Sequence, residues 1–176
     1  MKSKKAHLPS SRQKSRARII YLCSSAIIAA LYVALTHVSN LLGLASGVIQ
    51  CRLSEALCIL PYFTPAAIPG LTIGCVIANL TTLANIVDIV FGSLATLIGA
   101  VGAYLLRKYK WLTPLPTILA NTLILPFVLK FILKLEESVW FFFITIFIGE
   151  FIAAGIVGII FLLSFEKVNK SKKIFK

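Results

Sequence analysis

The stretch from Cys51 to Gly70 runs CRLSEALCILPYFTPAAIPG. Arg52 and Glu55, three residues apart, open a segment that is otherwise almost entirely apolar, and Pro61, Pro65 and Pro69 follow within it. Charged side chains are expensive in hydrocarbon, and those found there usually line a substrate or ion pathway. What this pair does therefore depends on where the rest of the chain puts the membrane.

Hydrophobic residues make up 59% of the 176 residues and charged residues only 14%, far from the balance of a soluble domain. An all-α integral membrane protein is expected, with the lipid bilayer as its first partner. The net charge of +12 does not argue for nucleic acid, because the basic residues gather at the two ends: Lys2, Lys4, Lys5, Arg12, Lys14, Arg16 and Arg18, then Lys167, Lys170, Lys172, Lys173 and Lys176. Such tails fit two cytoplasmic termini under the positive-inside rule. Residues 1–18 are expected to form a disordered or surface-lying basic arm, 19–165 the membrane domain, and 166–176 a basic cytoplasmic tail.

Cys23, Cys51, Cys58 and Cys75 have no metal-ligand spacing, so they are expected to be packing residues, with neither a disulfide nor a metal site. The first apolar segment outruns a signal-peptide core and lacks a cleavage site, so it is expected to stay in the mature protein.

Apolar runs predict helices over about 19–39, 53–63, 66–83, 88–106, 114–134 and 139–164. Most are long enough for the roughly 30 Å of a bilayer core; the second is too short alone. The basic loop Arg107-Lys108-Tyr109-Lys110 nevertheless falls on the side of the basic N-terminus only if all six segments cross. The expected fold is thus a bundle of six transmembrane helices, with the second bent at Pro61 and Pro65 and the backbone at Thr64 and Ile68, each preceding a proline, expected outside the helix or strained. Arg52, Glu55, Asn79 and Asp88 then lie toward the outer side. Glu150 sits roughly 16 Å along the last helix, near the bilayer middle, with Asn121 at similar depth in the fifth. A polar pocket opening outward is the expected consequence. Small residues recur at Ala26, Ala30 and Ala34, at Gly92, Ala95, Gly99 and Ala103, and at Gly149, Ala153, Ala154 and Gly158, faces that allow close helix approach.

Four segments carry a family resemblance: Arg52-Leu53-Ser54-Glu55-Ala56-Leu57, TPAAIPGLTIGCVIANL from Thr64 to Leu80, DIVFGSLATL from Asp88 to Leu97, and Gly149-Glu150. Together they resemble the queuosine-precursor transporter (QueT-type) S-components of energy-coupling factor importers, over roughly residues 20–165. The resemblance implies a six-helix subunit of a cell membrane that captures a 7-deazaguanine-type base, or another vitamin-like heterocycle, from outside. It implies as partners an EcfT-like transmembrane coupling subunit and two cytoplasmic ATPases, with Ala26, Ala30 and Ala34 as the docking ladder for the coupling subunit. No P-loop is present in this chain, so no cofactor is expected in it, and ATP would be used by the partner subunits. The basic arm and the stretch from Leu41 to Gln50 depart from the family pattern.

The candidate substrate-binding residues are Arg52, Glu55, Asn79, Asp88, Asn121 and Glu150, and each has a plainer reading. Arg52 and Glu55 could form a local ion pair at a helix end, or donate to a carbonyl and accept from ring N–H groups. Glu150 could bind the ligand or tie its helix to Asn121. Asp88 could cap a helix. Asn79 and Asn121 offer both donor and acceptor, which suits a base edge and equally suits helix pairing. Phe63, Phe91 and Trp140 could stack on a base, although packing or an interfacial belt accounts for each; His37 is expected to be an interfacial or packing residue. A self-sufficient secondary transporter would show internal repeats, and none is evident. An intramembrane enzyme would need a nucleophile with a base or clustered metal ligands, and neither pattern is present.

Overall fold

In the computed structural model residues 11–44 and 51–172 are described; residues 1–10 of the basic arm, 45–50 of the expected outer loop and 173–176 of the tail lie outside them. All regular structure among the described residues is helical: α1 (Ser11–Leu41), a 3₁₀ helix (Leu53–Tyr62), α2 (Ala67–Thr81), α3 (Ile86–Leu105), a single 3₁₀ turn (Lys110–Leu112), α4 (Leu115–Phe127, ending in a π turn, Val128–Ile132), α5 (Val139–Glu150), a π segment (Phe151–Val157) and α6 (Gly158–Lys172). α5, the π segment and α6 follow one another without a break, in place of the single uniform helix expected over 139–164.

Two boundaries differ informatively from the sequence expectation. α1 begins at Ser11, not near residue 19, so the basic segment 11–18 is helical and exposed. Arg, Lys and Gln are good helix formers and extend the helix beyond its apolar part. The backbone at Ile68 is helical although it precedes Pro69, because a proline in the first turn of a helix gives up only an N–H that had no partner there. Thr64, by contrast, lies outside both flanking helices as expected.

The second segment is not an α-helix bent at proline. It winds as ten residues of 3₁₀ helix, far beyond the usual three or four. In α winding the Pro61 ring would press on the Leu57 carbonyl; the 3₁₀ winding also reaches farther, about 20 Å at about 2.0 Å per residue. Ser39 of α1 caps it, its hydroxyl accepting from the Leu53 N–H at 2.9 Å. Ser54 to Pro61 are all buried, and Leu57, Cys58, Ile59 and Leu60 form the centre of the core with Ile28, Tyr32, Leu71 and Cys75.

Contacts along the helices fix their directions. The Ser25 hydroxyl donates to the Ala66 carbonyl at 2.8 Å, and His37 Nε2 meets Thr81 Oγ1 at 3.0 Å, so α1 and α2 run parallel. They touch backbone to backbone: a Cβ on Gly70 would lie 2.7 Å from the Ser25 carbonyl oxygen, and one on Gly74 2.8 Å from Tyr32 Cβ. The 3₁₀ helix returns between them, from Ser39 and Asn79 at its start to Phe63 near Phe165 at its end. α3 and α4 are antiparallel, with Gly99 against Thr117 and Gly102 against Pro116. Six segments therefore alternate in direction. Four of them, Ser11–Leu41, Ile86–Leu105, Lys110–Ile132 and Val139–Val168, are long and apolar enough to cross a bilayer; the 3₁₀ helix and α2 are shorter. The chain is a multi-pass membrane protein with an all-helical bundle.

Candidate functional site

The polar residues dispersed over the sequence converge at one place. A cavity of about 20 Å³ is walled by Arg52 and Glu55 from the 3₁₀ helix and its cap, Gly92 and Thr96 from α3, Asn121 and Leu125 from α4, and Ile146 and Glu150 from α5. Four segments meet at this wall, and small residues let two of them in: α3 carries a Gly92, Ala95, Gly99 and Ala103 face and α5 ends with Gly149, all buried. A volume near 20 Å³ holds about one water.

Glu150 is buried, and its Oε1 accepts from Asn121 Nδ2 at 2.9 Å, while Oε2 has no hydrogen-bond partner among the described residues. The contact to Asn121 is the structural one expected; the second oxygen is the unexplained one. A buried acceptor left without a donor costs roughly 1–3 kcal/mol, and here it belongs to a residue of the cavity wall. The π segment begins at the next residue, Phe151. π insertions within α-helices are frequent at functional sites.

Glu55 is held differently. The Tyr32 hydroxyl of α1 donates to its Oε1, and the Cys58 thiol donates to its Oε2 at 3.1 Å. Tyr32 is fully buried against the 3₁₀ helix. Glu55 and Arg52 form no ion pair; Lys110 pairs with Glu166 at the other end of the bundle. Arg52 instead donates from a guanidinium nitrogen to Asn79 Oδ1 at 3.3 Å.

Asn79 and Asp88 stand behind the cavity wall. Asn79 holds Arg52 and donates through Nδ2 to the Asp88 carbonyl at 3.4 Å and toward Cys75 Sγ at 3.5 Å. Asp88 is half-buried in the first turn of α3 and does not cap it; Asn85 does, accepting from the Val87 N–H at 3.1 Å. Phe63, Phe91 and Trp140 do not line the cavity. Phe63 packs edge-on against Tyr62 near Phe165, and Trp140 is exposed.

The sequence reading did not single out Tyr32 or Thr96, took Cys58 as a packing residue and placed Gly92 only on a close-packing face. For three of these a signal was present: Gly92 and Thr96 continue the four-residue spacing from Asp88, and Cys58 is three residues from Glu55. Tyr32 had none, because only packing carries it to Glu55. His37 pairs with Thr81, and the four cysteines are free.

Ala26, Ala30 and Ala34 lie away from this cavity. All three are exposed, whereas Ser25, Ala29 and Tyr32 of the same helix are buried. With Leu22, Val33 and Ile73 they line an apolar groove of about 650 Å³ on the outside of the bundle.

Chemically, the cavity presents a guanidinium with several N–H donors, an amide with donor and acceptor, and a carboxylate oxygen facing no donor. That set matches the alternating donor and acceptor edge of a planar nitrogen heterocycle. A family model described as QueT transporter matches residues 22–167. The queuosine precursor transporter QueT of Lactococcus lactis subsp. cremoris (strain MG1363) is 40% identical over 86 residues, covering 48% of this chain and 50% of that protein. The match therefore spans about half the length of that curated relative. No solved structure matches the chain.

Proposed function

Because the chain belongs to the QueT transporter family, we propose that it is the substrate-binding membrane subunit of an energy-coupling factor importer and captures a queuosine precursor, a 7-deazaguanine-type base, from outside the cell. The observation that carries this reading is the unpartnered Glu150 Oε2 in the wall of a cavity shared with Arg52, Glu55 and Asn121. Glu150 accepts from the ligand, Arg52 donates to its carbonyl edge, and Asn121 holds the carboxylate in register. Asn79 and Asp88 act on the ligand through Arg52. The relative's printed substrate supports the choice of a queuosine precursor.

All six segments cross in this reading, and both termini are cytoplasmic, as the alternating directions and the basic ends suggest. The short 3₁₀ helix can cross in about 20 Å because it is enclosed by protein and its backbone need not meet lipid. The ladder Ala26, Ala30, Ala34 receives a transmembrane coupling subunit that works with two cytoplasmic ATPases. Close approach of helices through small residues supports it.

Equilibrium binding to the purified full-length protein tests the proposal. Titration with the aminomethyl and cyano deazaguanine bases is expected to give saturable binding by calorimetry, and vesicles containing this chain alone to give no ATP-driven accumulation. Absence of binding for every deazaguanine, or uphill uptake by the chain alone, overturns it.

A further inference from the structure

The antiparallel packing of α4 against α5 and the π segment leaves a second hollow of about 510 Å³. Trp111, Leu115 and Ile118 form one wall, and Phe147, Phe151 and Ile160 the other, with Gly155 between them. From Ile160 to Phe147 the wall extends about 20 Å, somewhat more than one leaflet of a bilayer core about 30 Å thick. Its floor is open for a specific reason. Gly155 lies in the π segment, and a Cβ there would meet Ile118 Cδ1 and Phe151 Cδ2 at 3.6 Å, ordinary contact distance. A larger side chain would project into the hollow without displacing backbone.

One end of the groove is basic. Trp111 directly follows Arg107-Lys108-Tyr109-Lys110, and Lys110 Nζ stands 5.5 Å from the Trp111 ring centroid. Lys110 also contacts Glu166 at 3.5 Å, the Arg107 guanidinium lies 4.3 Å from the Tyr104 ring centroid, and Lys108 is exposed. Lys110 has an acidic contact there, while Arg107 and Lys108 are exposed beside an exposed tryptophan, the residue enriched where hydrocarbon meets headgroups. We propose that this groove is a binding site for an anionic phospholipid: one acyl chain lies along the groove from Ile160 to Phe147, and the headgroup phosphate sits at the Arg107–Lys110 loop. Charge complementarity selects an anionic lipid over a zwitterionic one, and the basic loop at one end of the groove, where a headgroup would lie, selects a lipid chain over an uncharged apolar helix.

The test uses the full-length protein in vesicles, with Trp140→Phe leaving Trp111 as its single tryptophan. Phosphatidylglycerol or phosphatidylcholine with brominated acyl chains is titrated in, and quenching of Trp111 is read. Half-maximal quenching is expected at an about fivefold lower mole fraction of phosphatidylglycerol than of phosphatidylcholine, from the pull of basic residues on anionic headgroups. Arg107→Gln with Lys108→Gln should bring the two lipids together. Gly155→Ala and then Gly155→Leu should weaken quenching by both in steps as the groove fills; should the leucine variant fail to fold, the alanine variant and the charge pair carry the test. Equal quenching by the two lipids in the parent protein overturns the proposal, as does undiminished quenching in the folded Gly155 variants or unchanged selectivity in the Arg107/Lys108 double variant.

Discussion

The cavity at Glu150 measures about 20 Å³ and is walled by Arg52, Glu55, Asn121 and Glu150, whereas the groove on the outer face of α1 measures about 650 Å³ and is walled by Ala26, Ala30, Ala34 and apolar neighbours. α1 serves both: its inner face sends the Tyr32 hydroxyl to Glu55, and its outer face carries the ladder. Recognition of a polar base needs fixed donors and acceptors in a dry place, where leaving one unpaired is costly. Docking of a helix in lipid needs shape alone, because lipid is as apolar as the side chains it would replace. The two regions are expected to respond separately to mutation, and where they fail to do so α1 is the element that joins them.

The largest effect is expected at the groove. Ala30→Trp places an indole on the exposed ladder, so co-purification with the coupling subunit should be lost while ligand affinity is nearly unchanged. An intact complex would show that the partner docks elsewhere. In the cavity, Glu150→Gln keeps the shape and removes the carboxyl group. Hydrogen bonds to charged groups contribute about 1.5–3 kcal/mol, so calorimetry should register an about ten- to hundredfold loss for a base bearing an ammonium and a smaller loss for its cyano analogue. Equal losses would mean that Glu150 reads the shared ring, and no loss would return it to a purely structural pairing with Asn121.

Asn79→Ala sharpens the distinction between residues that line the cavity and those that stand behind it. Arg52 loses its acceptor; because that bond is long, 3.3 Å, and acts on the ligand only through the guanidinium, a loss of about 0.5–1.5 kcal/mol, about two- to tenfold in affinity, is expected in the same titration. A loss as large as that of Glu150→Gln would argue for direct contact. Tyr32→Phe should have the smallest effect on function, lowering the Tm of the purified protein by a few degrees because Glu55 Oε1 loses its donor. If it also weakens docking, the cavity and the groove communicate through α1 and the comparison above breaks.

Much of the candidate site was legible in the sequence because charged and amide side chains are rare in apolar segments. Arg52, Glu55, Asn121 and Glu150 stood out individually and meet in one wall. Their supports did not stand out. Tyr32 is one aromatic among many, Cys58 one apolar-looking thiol, and neither spacing nor composition reveals that both donate to the same carboxylate. The charged pair that opens the proline-rich stretch looked like partners from its spacing, yet Arg52 turns to Asn79 and Glu55 to Tyr32 and Cys58, because the 3₁₀ winding and the neighbouring helices offer better-placed groups.

By itself the sequence determined the membrane setting, the order of the apolar segments, the positions of the buried polar residues and the family. Only the tertiary structure decided which face of each helix turns inward, that Pro61 belongs to a ten-residue 3₁₀ helix, and that the α1 ladder points outward while Ser25, Ala29 and Tyr32 point in. The reason lies in the solvent. In water, a buried face is written as apolar and an exposed one as polar; in a bilayer both faces are apolar, and the choice between lipid and protein rests on close packing and on hydrogen bonds between residues far apart in the chain.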